Sequence, residues 1–115
     1  MKKLFILFLL FSATAKAQVM GDLATDGRAI ATDIDYNLYA DTTGTIVFNI
    51  AVDMDGKVTG CQLNNDKTTL KSTRLLISAK NRILKQLSFE VGYAFPKHHQ
   101  GQVQINVLRE ESDED

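Results

Sequence analysis

The segment Gly44–Gly60, GTIVFNIAVDMDGKVTG, constrains the fold of this chain more than any other. Ile46, Phe48, Ile50 and Val52 alternate with Val47, Asn49, Ala51 and Asp53. That period of two belongs to a strand with one face on a core, and it predicts a strand over 45–53. A short M-D-G-K connection follows, then Val58, Cys61 and Leu63 at gaps of three and two. A regular strand keeps the gap at two, so a bulge near Thr59 and Gly60 is expected, with Cys61 turned to the core. Two strands joined by so short a link pair with each other, and the rest of the chain must be built around that hairpin.

The aspartates of the turn raise the question of chemistry. A calcium loop of the EF-hand type with Gly56 at its sixth position would place Ala51 first and Gln62 twelfth, and neither side chain is the ligand required there. Asp53 and Asp55 at a hairpin tip face water, which suits a turn and not a general acid. His98 and His99 adjoin in a loop without a third ligand at zinc spacing, and are read as a solvated pair. There is no glycine-rich phosphate loop. An enzyme would have to use Cys61 or the two histidines, and no convergent site is visible, so no catalytic residue, metal or cofactor is expected.

From Leu70 to Leu87, the residues Leu75, Leu76, Ala79, Ile83 and Leu87 recur at spacings of three and four, one apolar stripe on a helix over about 72–86. Ser72 or Thr69 can cap its start. Its outer residues Lys71, Arg74, Lys80, Arg82 and Lys85 carry no acid among them, which marks Arg74, Lys80 and Lys85 as a secondary surface for an anionic partner or for the chain's own acidic end. In Gly101–Arg109, Val103, Ile105 and Val107 again alternate with polar residues. The expected order is β-β-α-β, an α+β fold with a three-stranded antiparallel sheet and one helix on one face. Residues 18–43 are polar with scattered apolar positions and are read as an irregular arm with at most a short strand or a helical turn; residues 44–109 hold the domain.

The 115 residues support one modest core, and a net charge of -1 gives no push toward nucleic acid. MKK, the apolar run Leu4–Phe11 and Ala15-Lys16-Ala17 form a secretory leader, with cleavage expected after Ala17. The run is shorter than the roughly 20 residues of a bilayer span. The product, which starts at Gln18, is periplasmic or secreted. Cys61 is alone and can form no internal disulfide. The final EESDED, residues 110–115, repels itself and is expected to be disordered.

The run Gly44–Val58, followed by Cys61, Leu63, the helix with Leu75, Leu76 and Ala79, then Phe89 and Gly101–Val107, resembles the TonB C-terminal domain. It is similar above all to small exported TonB-like proteins in which G-R and a tyrosine precede the first strand, here Gly27, Arg28 and Tyr39. The resemblance implies a non-enzymatic envelope module whose last strand is an edge that pairs with an extended segment of a partner such as an outer-membrane receptor. Gln102, Val103, Gln104, Ile105, Asn106 and Val107 would be that edge. They carry no proline or charge, so the edge is expected to be either covered or used. Self-association of sheet edges into a homodimer is the alternative. A force-transmitting member keeps a membrane anchor and a proline-rich stalk; this chain has a cleavable leader and one proline, and no proline beside Tyr36 or Tyr39.

Overall fold

The computed structural model describes residues 18–110; the expected leader, residues 1–17, and residues 111–115 of the acidic end lie outside the described residues. The elements are β1 (Val19–Met20), α1 (Asp22–Thr25), β2 (Ile30–Thr32), β3 (Asn37–Ala40), β4 (Gly44–Val52), β5 (Val58–Leu63), α2 (Thr73–Gln86), β6 (Ser88–Phe89) and β7 (His99–Arg109). The class is α+β with a mostly antiparallel sheet. The expected three strands and one helix are corrected: the hairpin β4–β5, α2 and β7 are present, the arm adds β1, β2, β3 and the single turn α1, and β6 after the helix pairs with β2 as a second, two-stranded sheet.

β4 lies between β5 and β7, paired antiparallel with both. Against β7 the register runs without a break from Gly44↔Val107 to Val52↔His99. Against β5 it shifts by one residue, Ala51 facing Gly60 and Val52 facing Val58, which leaves Thr59 as the extra residue of a bulge. The far side of β7 is taken by the arm: β1 pairs antiparallel at Val103 and Gln102, and β3 pairs parallel along Asn106–Arg109. Only Asp41–Thr43 separate β3 from β4, yet those strands flank β7 on opposite sides. Two strand spacings are about 9.6 Å, within reach of a three-residue link. The link crosses the end of β7, where Arg109 donates to the Asp41 carbonyl at 2.8 Å and the Glu110 amide to the Ala40 carbonyl at 2.7 Å. Glu110, expected in the disordered tail, is therefore still tied to the sheet.

The core lies between the sheet and α2. Ile46, Phe48, Ile50 and Val52 of β4, Val103, Ile105 and Val107 of β7, and Cys61 of β5 meet Leu75, Ala79 and Ile83 of α2. Burying each of the larger side chains contributes about 1.5–3 kcal/mol. Val47 is buried too, although it points to the opposite face, and residues 64–69 run beside β4 at its backbone. There Thr68 Oγ1 accepts from the Val47 amide and Thr69 Oγ1 from the Thr45 amide, each at 2.9 Å, so side-chain hydroxyls extend the ladder where β5 has ended. Thr69 is thus occupied, and Ser72 caps α2 by accepting from the Leu75 amide.

The aspartate-rich turn serves the backbone. Asp53 Oδ1 accepts from the Lys57 amide at 2.9 Å, and the Asp53 carbonyl accepts from the Gly56 amide at 3.0 Å. Gly56 has φ 93°, and a Cβ there would stand 1.9 Å from the Phe89 carbonyl oxygen. Its own carbonyl accepts from the Phe89 amide at 2.8 Å, which ties the hairpin tip to β6. Gly56→Ala is therefore expected to lose about 2–4 kcal/mol through backbone strain and the forced separation of turn and β6, a drop in Tm on the order of 10–20 °C. An unchanged thermal melt would show that the turn is not locked in this way.

Candidate functional site

Gln102–Val107, the expected binding edge, lies in the interior of the sheet. The Gln104 amide donates to the Gln18 carbonyl at 2.9 Å and the Asn106 amide to the Tyr36 carbonyl at 2.8 Å, while β4 takes the other side. Those residues are the covered alternative: the chain's own arm fills the edge. Gly101 permits it, because a Cβ there would approach the Met20 carbonyl to 2.6 Å and Leu23 to 2.7 Å.

Two outer margins remain, and their chemistry differs. On the β3 side, the Asn37 amide donates to Asp35 Oδ1 at 3.0 Å, and the Asn37 carbonyl accepts from Arg82 at 2.8 Å. Side chains thus occupy both outward backbone groups of Asn37 at the start of that margin. On the β5 side, β4 is the only neighbouring strand among the described residues, and the Lys57–Ser88 bridge covers just its beginning. The Asn64 amide bonds to the Val47 carbonyl. By antiparallel alternation, the peptide groups of Leu63 and Cys61 then point away from β4. V-T-G-C-Q-L contains neither proline nor charge; only the bulge at Thr59 disturbs its start.

The solvent face beside this margin is a row of amides. Gln62, Asn49 and Gln102 stand side by side on β5, β4 and β7. Asn49 Oδ1 accepts from Gln102 and Asn64, and Lys67 donates to Gln102 Oε1 at 3.1 Å. Ala51, Gly60 and Gly101 leave an open depression of about 620 Å³ next to the row.

At the other end of the sheet, sequence reasoning missed a polar cluster. His99 is 1% exposed, not solvated, because β7 begins two residues before Gly101 and residue 99 shares the inward parity of Val103; His98 is exposed. Arg28, 6% exposed, donates to the carbonyls of Asp53 at 2.9 Å and Glu90 at 3.0 Å and contacts His99 Nδ1 at 3.2 Å. A guanidinium can only donate, so Nδ1 is the acceptor and the ring proton sits on Nε2, which donates to Asp26 Oδ2 at 2.8 Å. Phe95 stacks on His99 with ring centres 4.8 Å apart and also lies under the guanidinium. The side-chain nitrogens of Arg28 and His99 are all engaged with neighbours, so the cluster joins the arm, the hairpin turn, the 90–95 loop and the start of β7. The Gly27-Arg28 pair was visible in the sequence, but its partners lie 25 to 71 residues away.

The other named residues are dispersed. Arg74, Lys80 and Lys85 are exposed on α2, and Tyr39 is exposed on β3. Burial, then the bond to the Asp33 carboxylate and its charge, hold the Tyr36 hydroxyl protonated well above the ordinary phenol range. Cys61 is 7% exposed, and burial pushes its thiol up to about 11 against an opposing pull from Lys80. Among the described residues no three His, Cys, Asp or Glu side chains gather as a metal site.

No protein-family model, no curated protein and no solved structure matches this chain.

Removing the Arg28 side chain takes the donor from the part-buried Glu90 carbonyl and the second donor from the Asp53 carbonyl, and leaves His99 Nδ1 unpartnered in the interior, an unsatisfied buried group costing about 1–3 kcal/mol. Arg28→Ala should therefore unfold at clearly lower denaturant, and Arg28→Lys, which cannot fork to separate acceptors, should recover little. Full stability of Arg28→Lys would reduce the guanidinium to a simple charge. For Cys61, a thiol held protonated in the folded state and freer to ionise in the unfolded chain stabilises the fold below pH 9. That contribution, at most about 2–3 kcal/mol, should disappear between pH 9 and about 11. Relative to Cys61→Ala, the native chain should lose stability more steeply across that window, measured by urea unfolding; parallel curves would refute it.

Proposed function

We propose that this chain is an exported, non-enzymatic binding module of the TonB C-terminal kind, which takes an extended segment of an envelope protein or peptide as an added strand on β5. The carrying observation is the difference between the two sheet margins. On β3 the outward groups of Asn37 are taken by Asp35 and Arg82, whereas Cys61 and Leu63 direct peptide groups outward from a strand free of charge and proline. Strand addition draws affinity from main-chain hydrogen bonds and selectivity from places for alternate side chains. The depression floored by Gly60 and Ala51 is such a place. The α+β class with a mostly antiparallel sheet is compatible with the reading. The binding strand moves, however, from Gln102–Val107, whose outer amides the arm already holds, to Val58–Leu63. An outer-membrane receptor is one partner that fits this mode, and pairing of two β5 strands into a homodimer is the alternative on the same margin.

Leu63→Pro tests both. The Leu63 amide is not needed by β4, so proline removes an outward donor, and Leu63→Ala controls for the lost side chain. With folding verified by circular dichroism, Leu63→Ala should retain a strand partner captured from the envelope fraction and Leu63→Pro should lose it. Size exclusion at two concentrations separates partner binding from dimerisation. Equal capture, or equal dimer, by the two variants would exclude this margin.

A further inference from the structure

The described residues carry ten bases and ten acids, but six of the bases and none of the acids fall between Lys67 and Phe89. Two of the six are engaged in the fold, Lys67 with Gln102 and Arg82 with the carbonyls of Asp35 and Asn37. Lys71, Arg74, Lys80 and Lys85 are exposed, and among the described residues no lysine or arginine is paired with a carboxylate, so none of the four is neutralised. In their midst, Ile77 is 54% and Leu84 41% exposed. These two stand seven residues apart, two turns along one line of the helix and about 10 Å from each other. At 100° per residue that line is roughly opposite the buried Leu75, Ala79 and Ile83, with Lys80 on one flank and Arg74 and Lys85 on the other. α2 therefore has two apolar stripes: an inner one that the sheet covers and an outer one that none of the described residues covers.

We infer that the outer face of α2 docks on an anionic lipid surface, with Arg74, Lys80 and Lys85 at headgroup phosphates and Ile77 and Leu84 dipping into the acyl boundary. An interfacial helix lies in the membrane plane with aliphatic side chains inward and cations beside the headgroups. Spanning is not involved, since no helix among the described residues is long and apolar enough to cross a bilayer. Lipid is the occupant that uses both halves of the pattern. The acidic end EESDED matches the charge but offers no apolar side chain to cover Ile77 and Leu84. This face is separate from the β5 margin, so the inference does not rest on strand addition.

The test is co-sedimentation of the protein beginning at Gln18, without the apolar leader, with vesicles of phosphatidylglycerol and phosphatidylcholine and with phosphatidylcholine alone. Binding is expected on the anionic vesicles only. It should fall at least tenfold in Arg74→Gln/Lys80→Gln/Lys85→Gln and severalfold in Ile77→Ser/Leu84→Ser, exposed sites where the fold is undisturbed. It should also fall steeply in about 1 M salt, where the screening length shrinks to about 3 Å. Leu63→Pro should bind vesicles like the native chain, which separates this result from the strand-addition test. Absence of vesicle binding by the native chain, or binding that the triple variant retains, overturns the inference. So does full binding by Ile77→Ser/Leu84→Ser, the mark of charge attraction to any polyanion. If only a chain ended at Glu110 binds, the face belongs to the chain's own acidic end and the inference also fails.

Discussion

Two-sided hydrogen bonding of β7 is the constraint on which the rest of the molecule depends. One side takes the whole length of β4, and with it the hairpin and the helix packed across the sheet. The other side takes two short pieces of the arm, the two-residue β1 and the four-residue β3. Neither piece is long enough to hold a strand conformation alone, so both depend on the amides of Gln104, Asn106 and Glu110 for their partners. Without β7 the arm has no template, and without the arm β7 exposes a row of unpaired peptide groups.

The Arg28 cluster closes the other end of the structure by a different means. One guanidinium satisfies carbonyls from the hairpin turn and the 90–95 loop, and also orients His99, whose remaining ring nitrogen reaches Asp26 in the arm. Burying so much polarity is tolerable because the donors and acceptors in it are paired. The nitrogens of Arg28 and His99 are turned to neighbours within the fold, while the Asp26 carboxylate stands partly exposed at its edge. The surfaces with unspent capacity lie elsewhere, on the outer margin of β5 and the outer face of α2.

The local elements were legible because their patterns are short-range. Ile46 to Val52 and Val103 to Val107 alternate, Leu75 to Ile83 recur at helical spacing, and the gap from Val58 to Cys61 located the bulge at Thr59. Each pattern needs only a face to be buried, not knowledge of what buries it. The arm showed no such pattern: Val19–Met20 and Asn37–Ala40 are too short for periodicity to register, and they form strands because an existing strand lends them hydrogen bonds. His99 was misread for a related reason. A histidine beside another histidine resembles solvated loop, and only the distant Arg28, Asp26 and Phe95 make its burial acceptable.

By itself, then, the sequence determined the hairpin, the helix, the inward faces of β4 and β7, the bulge and the concentration of cations on α2, since all of these follow from the order of side chains along a few turns or a strand. Only the tertiary structure decided which edge is open. The absence of proline and charge in Gln102–Val107 said that this edge is protected or engaged, but edge chemistry is the same for a foreign strand and for the chain's own arm. The choice was made by a three-residue link short enough to cross the end of β7 and by a glycine at 101 that lets Met20 and Leu23 approach. Those are facts of spatial proximity between residues about seventy to eighty-five positions apart, which no local pattern encodes.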